Sequence, residues 1–160
     1  NSYEEKVKSN PLFKGVKVIT ADVPPTMPFT KPATQDLVVT FRNLHNWLGQ
    51  DAMQTIMQEA YDSLKKGGHF GVVEHRAPEG SSLEFMQKSG YVTQSLAIKT
   101  AKEVGFELIA SSEINANPKD TADHPRGVWT LPPSFRLKDQ DRAKYAAIGE
   151  SDRMTLLFRK

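Results

Sequence analysis

The chain has no cysteine, which excludes disulfides, thiolate metal sites and a cysteine nucleophile. No apolar run approaches the roughly 20 residues that a membrane-spanning helix needs, and no signal peptide is recognisable. The chain starts at Asn1 without an initiator Met, as a processed, truncated or designed start would. The compartment therefore stays open: cytoplasmic by default, exported if a targeting segment has been removed. An excess of one charge is missing too, since 21 Lys and Arg face 19 Asp and Glu. A net charge of +2 is too balanced to point to nucleic acid. No basic stripe interleaved with aromatics is present either. There is no internal repeat and no low-complexity segment. A length of 160 residues, 38% of them hydrophobic, suits a single domain, 1–160, with a modest core.

What is there is concentrated between Asp36 and Arg76. The run DLVVTFRNLHNWL (36–48) is followed by a helix-like segment ending SLKKGG, then by HFGVVEHR. Leu37 to Phe41 is continuously apolar, as in a parallel strand covered on both faces. Asp51 is placed to cap a helix reaching about Lys65, in which Met53, Ile56, Met57, Ala60 and Leu64 form one apolar stripe. Gly67-Gly68 would end that helix, and Phe70 to Glu74 forms the next strand. This is a strand–helix–strand unit of the length a parallel crossover needs. In open parallel sheets, ligands sit at the carboxyl ends of the strands. Arg42, Asn43, His45, Glu74, His75 and Arg76 would then surround one crevice.

Elsewhere, residues 3–9 are polar and helix-compatible, and Val16 to Ala21 (VKVITA) reads as a strand. Asp22 to Pro32 contains four prolines and is a loop. Thr93 to Val104 reads as a helix stopped by Gly105, Phe106 to Ser111 as a strand, Asp139 to Ile148 as a short helix before Gly149, and Met154 to Phe158 as a last strand. Residues 113–136, rich in Asn, Asp and Pro, show little periodicity. Such a stretch inside a compact domain is often functional.

In this order the elements resemble the C-terminal two-thirds of a class I S-adenosylmethionine-dependent methyltransferase. They are most similar to a bacterial family of small methyltransferases. The pieces that carry the resemblance are DLVVTFRNLHNWL (36–48), SLKKGGHFGVVEHR (63–76), SGYVTQ (89–94), SSEINANPKD (111–120), GVWTLPP (127–133) and GESDRMTL (149–156). The resemblance implies an α/β Rossmann-like sheet of order 3-2-1-4-5-7-6 with strand 7 antiparallel. VKVITA would be strand 3, LVVTF strand 4, FGVVE strand 5, FELIAS strand 6 and MTLLF strand 7. The family's glycine-rich cofactor loop after strand 1, and its acid after strand 2, have no counterpart here. The glycines present do not lead from a strand into a helix, as a nucleoside loop must. Weak or absent binding of S-adenosylmethionine by this chain alone is therefore expected. Without strands 1 and 2, strand 4 would have an open apolar edge, which recruits other chains. The chain is then a fragment, or is completed by a partner or a second copy in a homo-oligomer, or is preceded by further elements in its parent.

The resemblance also implies site residues. His45, Glu74 and His75 are the catalytic candidates, with His45 the best-placed base because an ordinary histidine titrates near neutrality. Each has a structural alternative: a hydrogen-bonded histidine, or an ion-pair network that orders the loop. Asp22 resembles the position that contacts adenine, although it could simply form a turn before Pro24-Pro25. Phe41, Arg42 and Asn43 resemble the lining of the methionine end. Phe41 is equally a core residue, and Arg42 is either a bidentate carboxylate clamp or half of a surface ion pair. Trp47 could stabilise a sulfonium or merely pack. Arg76, Tyr91, Asn115, Asn117, Asp120, His124 and Trp129 resemble substrate-side positions, where the segment around His124 and Trp129 could act as a lid. Turn formation is the alternative for the Asn and Asp residues. Glu150, Ser151, Asp152 and Arg153 read as structural loop residues. His45, Glu74 and His75 could converge on a metal, but no pair has helical i, i+4 ligand spacing, and no metal is expected. Two functions compete: a methyltransferase acting on a small or medium-sized acceptor, and a non-catalytic binding module on the same fold. A nucleotide-dependent oxidoreductase would also need a glycine loop and has no positive motif.

Overall fold

The computed structural model describes residues 2–160. In chain order the elements are α1 (Ser2–Ser9), a 3-10 turn (Pro11–Phe13), β1 (Gln35–Phe41), α2 (Leu44–Gly49), α3 (Met53–Ser63), β2 (Leu64–Ala77), α4 (Leu83–Ser89), β3 (Val92–Thr93), α5 (Gln94–Val104), β4 (Glu107–Ser112), β5 (Pro125–Val128), α6 (Arg142–Ile148) and β6 (Arg153–Arg159). The main sheet has the order β1-β2-β6-β4, and β3 pairs with the far end of β2. β1 and β2 run parallel, while β6 runs antiparallel to both β2 and β4. This is the expected order 4-5-7-6 with its antiparallel strand 7.

The core lies on one face of the sheet. Phe70 and Val72 of β2 and Met154, Leu156 and Phe158 of β6 alternate inward, as the two-residue period of a strand requires. Phe70 stacks on Phe106 at 5.1 Å and on Phe158 at 6.1 Å. Each fully buried ring contributes about 2 kcal/mol through apolar burial. The helical stripe Met53, Ile56, Met57 and Ala60 is buried as the pattern predicts. α5 starts at Thr93, whose hydroxyl accepts from Leu96 N, and stops at Gly105 with φ 118°.

Several local expectations change. Val16 to Ala21 is not a strand; every residue in it is exposed. β-branched residues cannot hold an extended segment that has no neighbour to complete its hydrogen-bond ladder. β1 is covered on one face only: Leu37, Val39 and Phe41 are 57%, 50% and 59% exposed. Phe41 is therefore not a core residue. Asp51 does not cap α3. It adopts φ 52° at the corner between α2 and α3, and Ala52 precedes the first turn without a side-chain cap. Gly67-Gly68 does not end that helix either. It forms an irregularity inside β2, where the pairing shifts between Gln35 and Leu37. A Cβ on Gly68 would lie 2.9 Å from Lys65 O and 3.2 Å from Asp36 O. The helix α4, capped by Ser82, is an element the periodicity did not show.

Candidate functional site

β1 and β2 end side by side, with Phe41 opposite Val73. The chain leaves β1 through Arg42, held at φ 57°, with its N–H donating to Val73 O at 2.8 Å. A side chain in this left-handed region is uncommon. Asn43 follows, then α2 begins and carries His45 in its first turn. β2 runs on past its partner into Glu74 and His75, and the antiparallel register sets Arg153 of β6 opposite His75.

Glu74 is 0% exposed, and its carboxylate is paired by three donors. His45 N donates to Oε2 at 3.1 Å, His75 N to Oε1 at 2.8 Å, and His45 Nδ1 approaches Oε1 at 3.0 Å. An ionised carboxylate only accepts, so the proton of neutral His45 sits on Nδ1 and leaves Nε2 as the free acceptor. This is the orienting arrangement of a carboxylate–histidine base. His75 Nδ1 lies 2.5 Å from Ser151 Oγ. Burial pushes the pKa of His75 down to about 3, helped by the nearby His45, Arg153 and Arg42, so this imidazole is neutral at physiological pH. The two rings are 5.5 Å apart, and Trp129 meets His45 edge-on at 5.9 Å.

A cavity of about 290 Å³ opens at this point, lined by Arg42, Asn43, His45, His75, Trp129 and Arg153 among others. A larger cavity of about 540 Å³ lies against α4 and β5, with Trp129 and Arg136 in its wall. Trp129 borders both. The Arg136 guanidinium sits 4.8 Å from the Trp129 ring centre.

Ligand atoms of His45, Glu74 and His75 all lie within 4.8 Å of one another, close enough to hold a metal ion. The donor set fits a cation poorly. Both Glu74 oxygens already accept N–H bonds, and two arginines line the same cavity.

The other site candidates fall into three places. Arg76 and the loop residues form a structural hub beside the site. The Arg76 guanidinium clamps Asp152 through Nε at 2.9 Å and Glu113 through NH2 at 2.7 Å, and these carboxylates hold its charge more firmly than usual, Glu113 first. Asp152 in turn accepts Asn117 N at 2.8 Å. Asp120 accepts from Tyr91 OH, from Ala122 N and from Asp152 N, and lies 2.8 Å from His124 Nε2. Tyr91 is 0% exposed; burial, then Asp120, raises its pKa. Asn115 donates to Thr155 Oγ1 at 2.8 Å, and Asn117 donates to Ile148 O and Glu150 O. Arg76, Tyr91, Asn115, Asn117 and His124 thus spend their polar atoms on fixing residues 113–128. That segment is a tied wall of the site. Trp47 packs against the core and lies outside the 290 Å³ cavity. Asp22 is exposed and bonded by Thr26 Oγ1 at 3.0 Å, beside a bend in irregular backbone, without the strand that would carry it to a nucleoside.

Ser151 and Arg153, which read as loop residues in the sequence, belong to the site. Ser151 is 3% exposed against His75. Only the β2–β6 register brings them there, and no local motif signals it.

At the sequence level the chain matches no protein-family profile and no curated protein. By fold it is similar to several solved structures. The [4+2]-cyclase SpnF superposes with a TM-score of 0.64 at 16% identity, covering 98% of this chain and 60% of SpnF. A proposed sarcosine dimethylglycine methyltransferase from Galdieria sulphuraria gives a TM-score of 0.63 at 15% identity, covering 98% of this chain and 63% of that one. A SAM-dependent methyltransferase from Archaeoglobus fulgidus gives 0.54 at 12% identity, covering 98% and 72%. The fold is that of the class I S-adenosylmethionine-dependent methyltransferases. The chain spans about three fifths of the length of the first two structures. SpnF shows that such a fold can also carry a cyclase, so the fold does not by itself name a reaction.

The cofactor implied by the fold fits only in part. A glycine turn leads from β2 into α4 at Gly80, but it carries a single glycine and follows the counterpart of strand 5, where the family's loop follows strand 1, and Asp22 is bonded by Thr26. The carboxyl end of β1 is present and open. The residues of this chain do not by themselves make a nucleoside holder.

Proposed function

We propose that this chain forms the acceptor side of an S-adenosylmethionine-dependent methyltransferase acting on a small or medium-sized molecule, with His45 as the base. The observation that supports this reading is the His45–Glu74 pair, buried at the strand ends and facing a cavity. The cofactor's chemistry is to supply an electrophilic methyl group. The chain's own part is to hold the acceptor beside Trp129 and to accept its proton at His45 Nε2, while Glu74 stabilises the resulting imidazolium. His75, fixed by Ser151, is neutral and can only donate or accept a hydrogen bond. Asn43 and Arg42 position the bound molecule from the β1 end.

In the active protein, His45→Ala should lower turnover roughly 10²–10⁴-fold, and Glu74→Gln should act in the same direction. Affinity for S-adenosylhomocysteine, read by calorimetry, should change far less. Full turnover in both variants removes these residues from the mechanism.

A non-catalytic binding module is the second reading, favoured by the missing nucleoside holder. It predicts that S-adenosylhomocysteine binds neither this chain nor a longer form of the protein. A second copy pairing along the open edge of β1 belongs to either reading, because an unpaired strand edge with an exposed apolar face is a template for association. Sedimentation should then show a dimer that Val39→Lys converts to monomer. A monomeric parent chain at high concentration contradicts this.

A further inference from the structure

The 290 Å³ cavity is lined by two arginines whose hydrogen-bond donors are only partly used. Arg153 Nε is buried without a hydrogen-bond partner, the one side-chain nitrogen or oxygen in that condition among the described residues. A buried guanidinium N–H left unpaired is costly, so its retention calls for an explanation. The other end of this guanidinium, NH2, pairs with Glu150, a carboxylate that is 55% exposed and sits outside the cavity lining. Arg42 lines the same cavity and has no ion-pair or hydrogen-bond partner for its side chain among the described residues. It is also held at φ 57°, a conformation that costs about 1 kcal/mol for a non-glycine residue and persists where the surroundings impose it. Of the two acids nearby, Glu150 holds only the NH2 end of Arg153, and Glu74 lies behind the histidines with both oxygens occupied. Asn43 and Ser134 add neutral polar groups to the wall. Two arginines with spare donors, a partly enclosed cavity and no free carboxylate make a complementary site for an anion.

We infer that this cavity receives an anionic group of the acceptor, a carboxylate or a phosphate, bonded by the Arg153 Nε–H and the Arg42 guanidinium. The acceptor is then an acid whose anion is anchored beside His45. This rests on the methyltransferase reading only for the word acceptor. The anion site itself is independent of what reaction follows.

The test uses the 160-residue chain without cofactor. Inorganic phosphate and acetate are titrated separately, with sodium chloride at matched ionic strength as control. The readout is the ¹⁵N–¹H resonance of Arg153 Nε. A saturable shift with at least one of the two anions is expected, absent with chloride. Arg42→Asn, at an exposed position where Asn tolerates the left-handed backbone, should weaken that binding about tenfold. Arg153→Gln, followed through the Arg42 Nε resonance in place of its own, should do at least as much, and if it fails to fold the Arg42 variant still decides. Shifts that stay linear and match chloride overturn the proposal. So does saturable binding that neither variant changes. Saturation by S-adenosylhomocysteine, with no effect of phosphate or acetate, assigns the site to the cofactor's carboxylate and overturns its assignment to the acceptor. Loss of anion binding leaves the methyl-transfer reading standing, and loss of methyl transfer leaves the anion site standing.

Discussion

Protonation of His75 should be the main acid-sensitive element of this fold above the carboxylate range. The imidazole is 8% exposed, and burial, followed by the fields of His45, Arg153 and Arg42, lowers its pKa from 6.5 to about 3. The unfolded chain binds this proton at a pH where the folded chain does not. Stability from this group is therefore complete above the unfolded pKa and falls as pH drops toward the folded one. Each unit of pH across that interval costs at most about 1.4 kcal/mol, so moving from about pH 7 to about pH 5 should remove about 2 kcal/mol. For a domain of this size that corresponds to a fall in Tm of about 4–8 °C. The assay is urea unfolding at several pH values for the parent chain and for His75→Asn. Asn places a polar atom where Nδ1 meets Ser151 and cannot titrate. The variant should lose the steep part of the profile over this range while keeping the slopes contributed by other groups. Identical pH profiles for the two proteins would refute the burial argument, and with it the claim that the site contains a neutral imidazole.

Asp120→Asn should destabilise the fold by about 2–4 kcal/mol, measured by urea unfolding. The new amide would face donors that now converge on a carboxylate from Tyr91, Ala122 and Asp152. An unchanged midpoint would mean that the hub does not fix the 113–128 wall. Gly127→Ala should cost more than about 3 kcal/mol, because a Cβ there would lie 2.2 Å from Ser89 O and the residue has φ 57°. A Tm within a degree or so of the parent would show that α4 and β5 separate readily.

The sequence alone determined the elements whose signals are local. The stripe Met53, Ile56, Met57 and Ala60 specifies a helix because four positions on one face need a common partner. Thr93 and Gly105 bracket α5 because capping and left-handed stopping are properties of one or two residues. The spacing of strand, helix and strand fixed the parallel pair β1 and β2, and placed His45 and Glu74 at neighbouring strand ends. Tertiary structure decided the rest. VKVITA has strand composition but no neighbour, and a strand's hydrogen bonds belong to a pair. The apolar run 37–41 looks doubly covered, yet only one face meets a partner, which a run of apolar letters cannot distinguish. Ser151 and Arg153 joined the site through antiparallel register across 76 and 78 positions of chain. Arg76 left the list of free contacts because Asp152 and Glu113, distant in sequence, converge on its guanidinium. Charge balance at a point in space depends on which groups meet there, and that is set by topology.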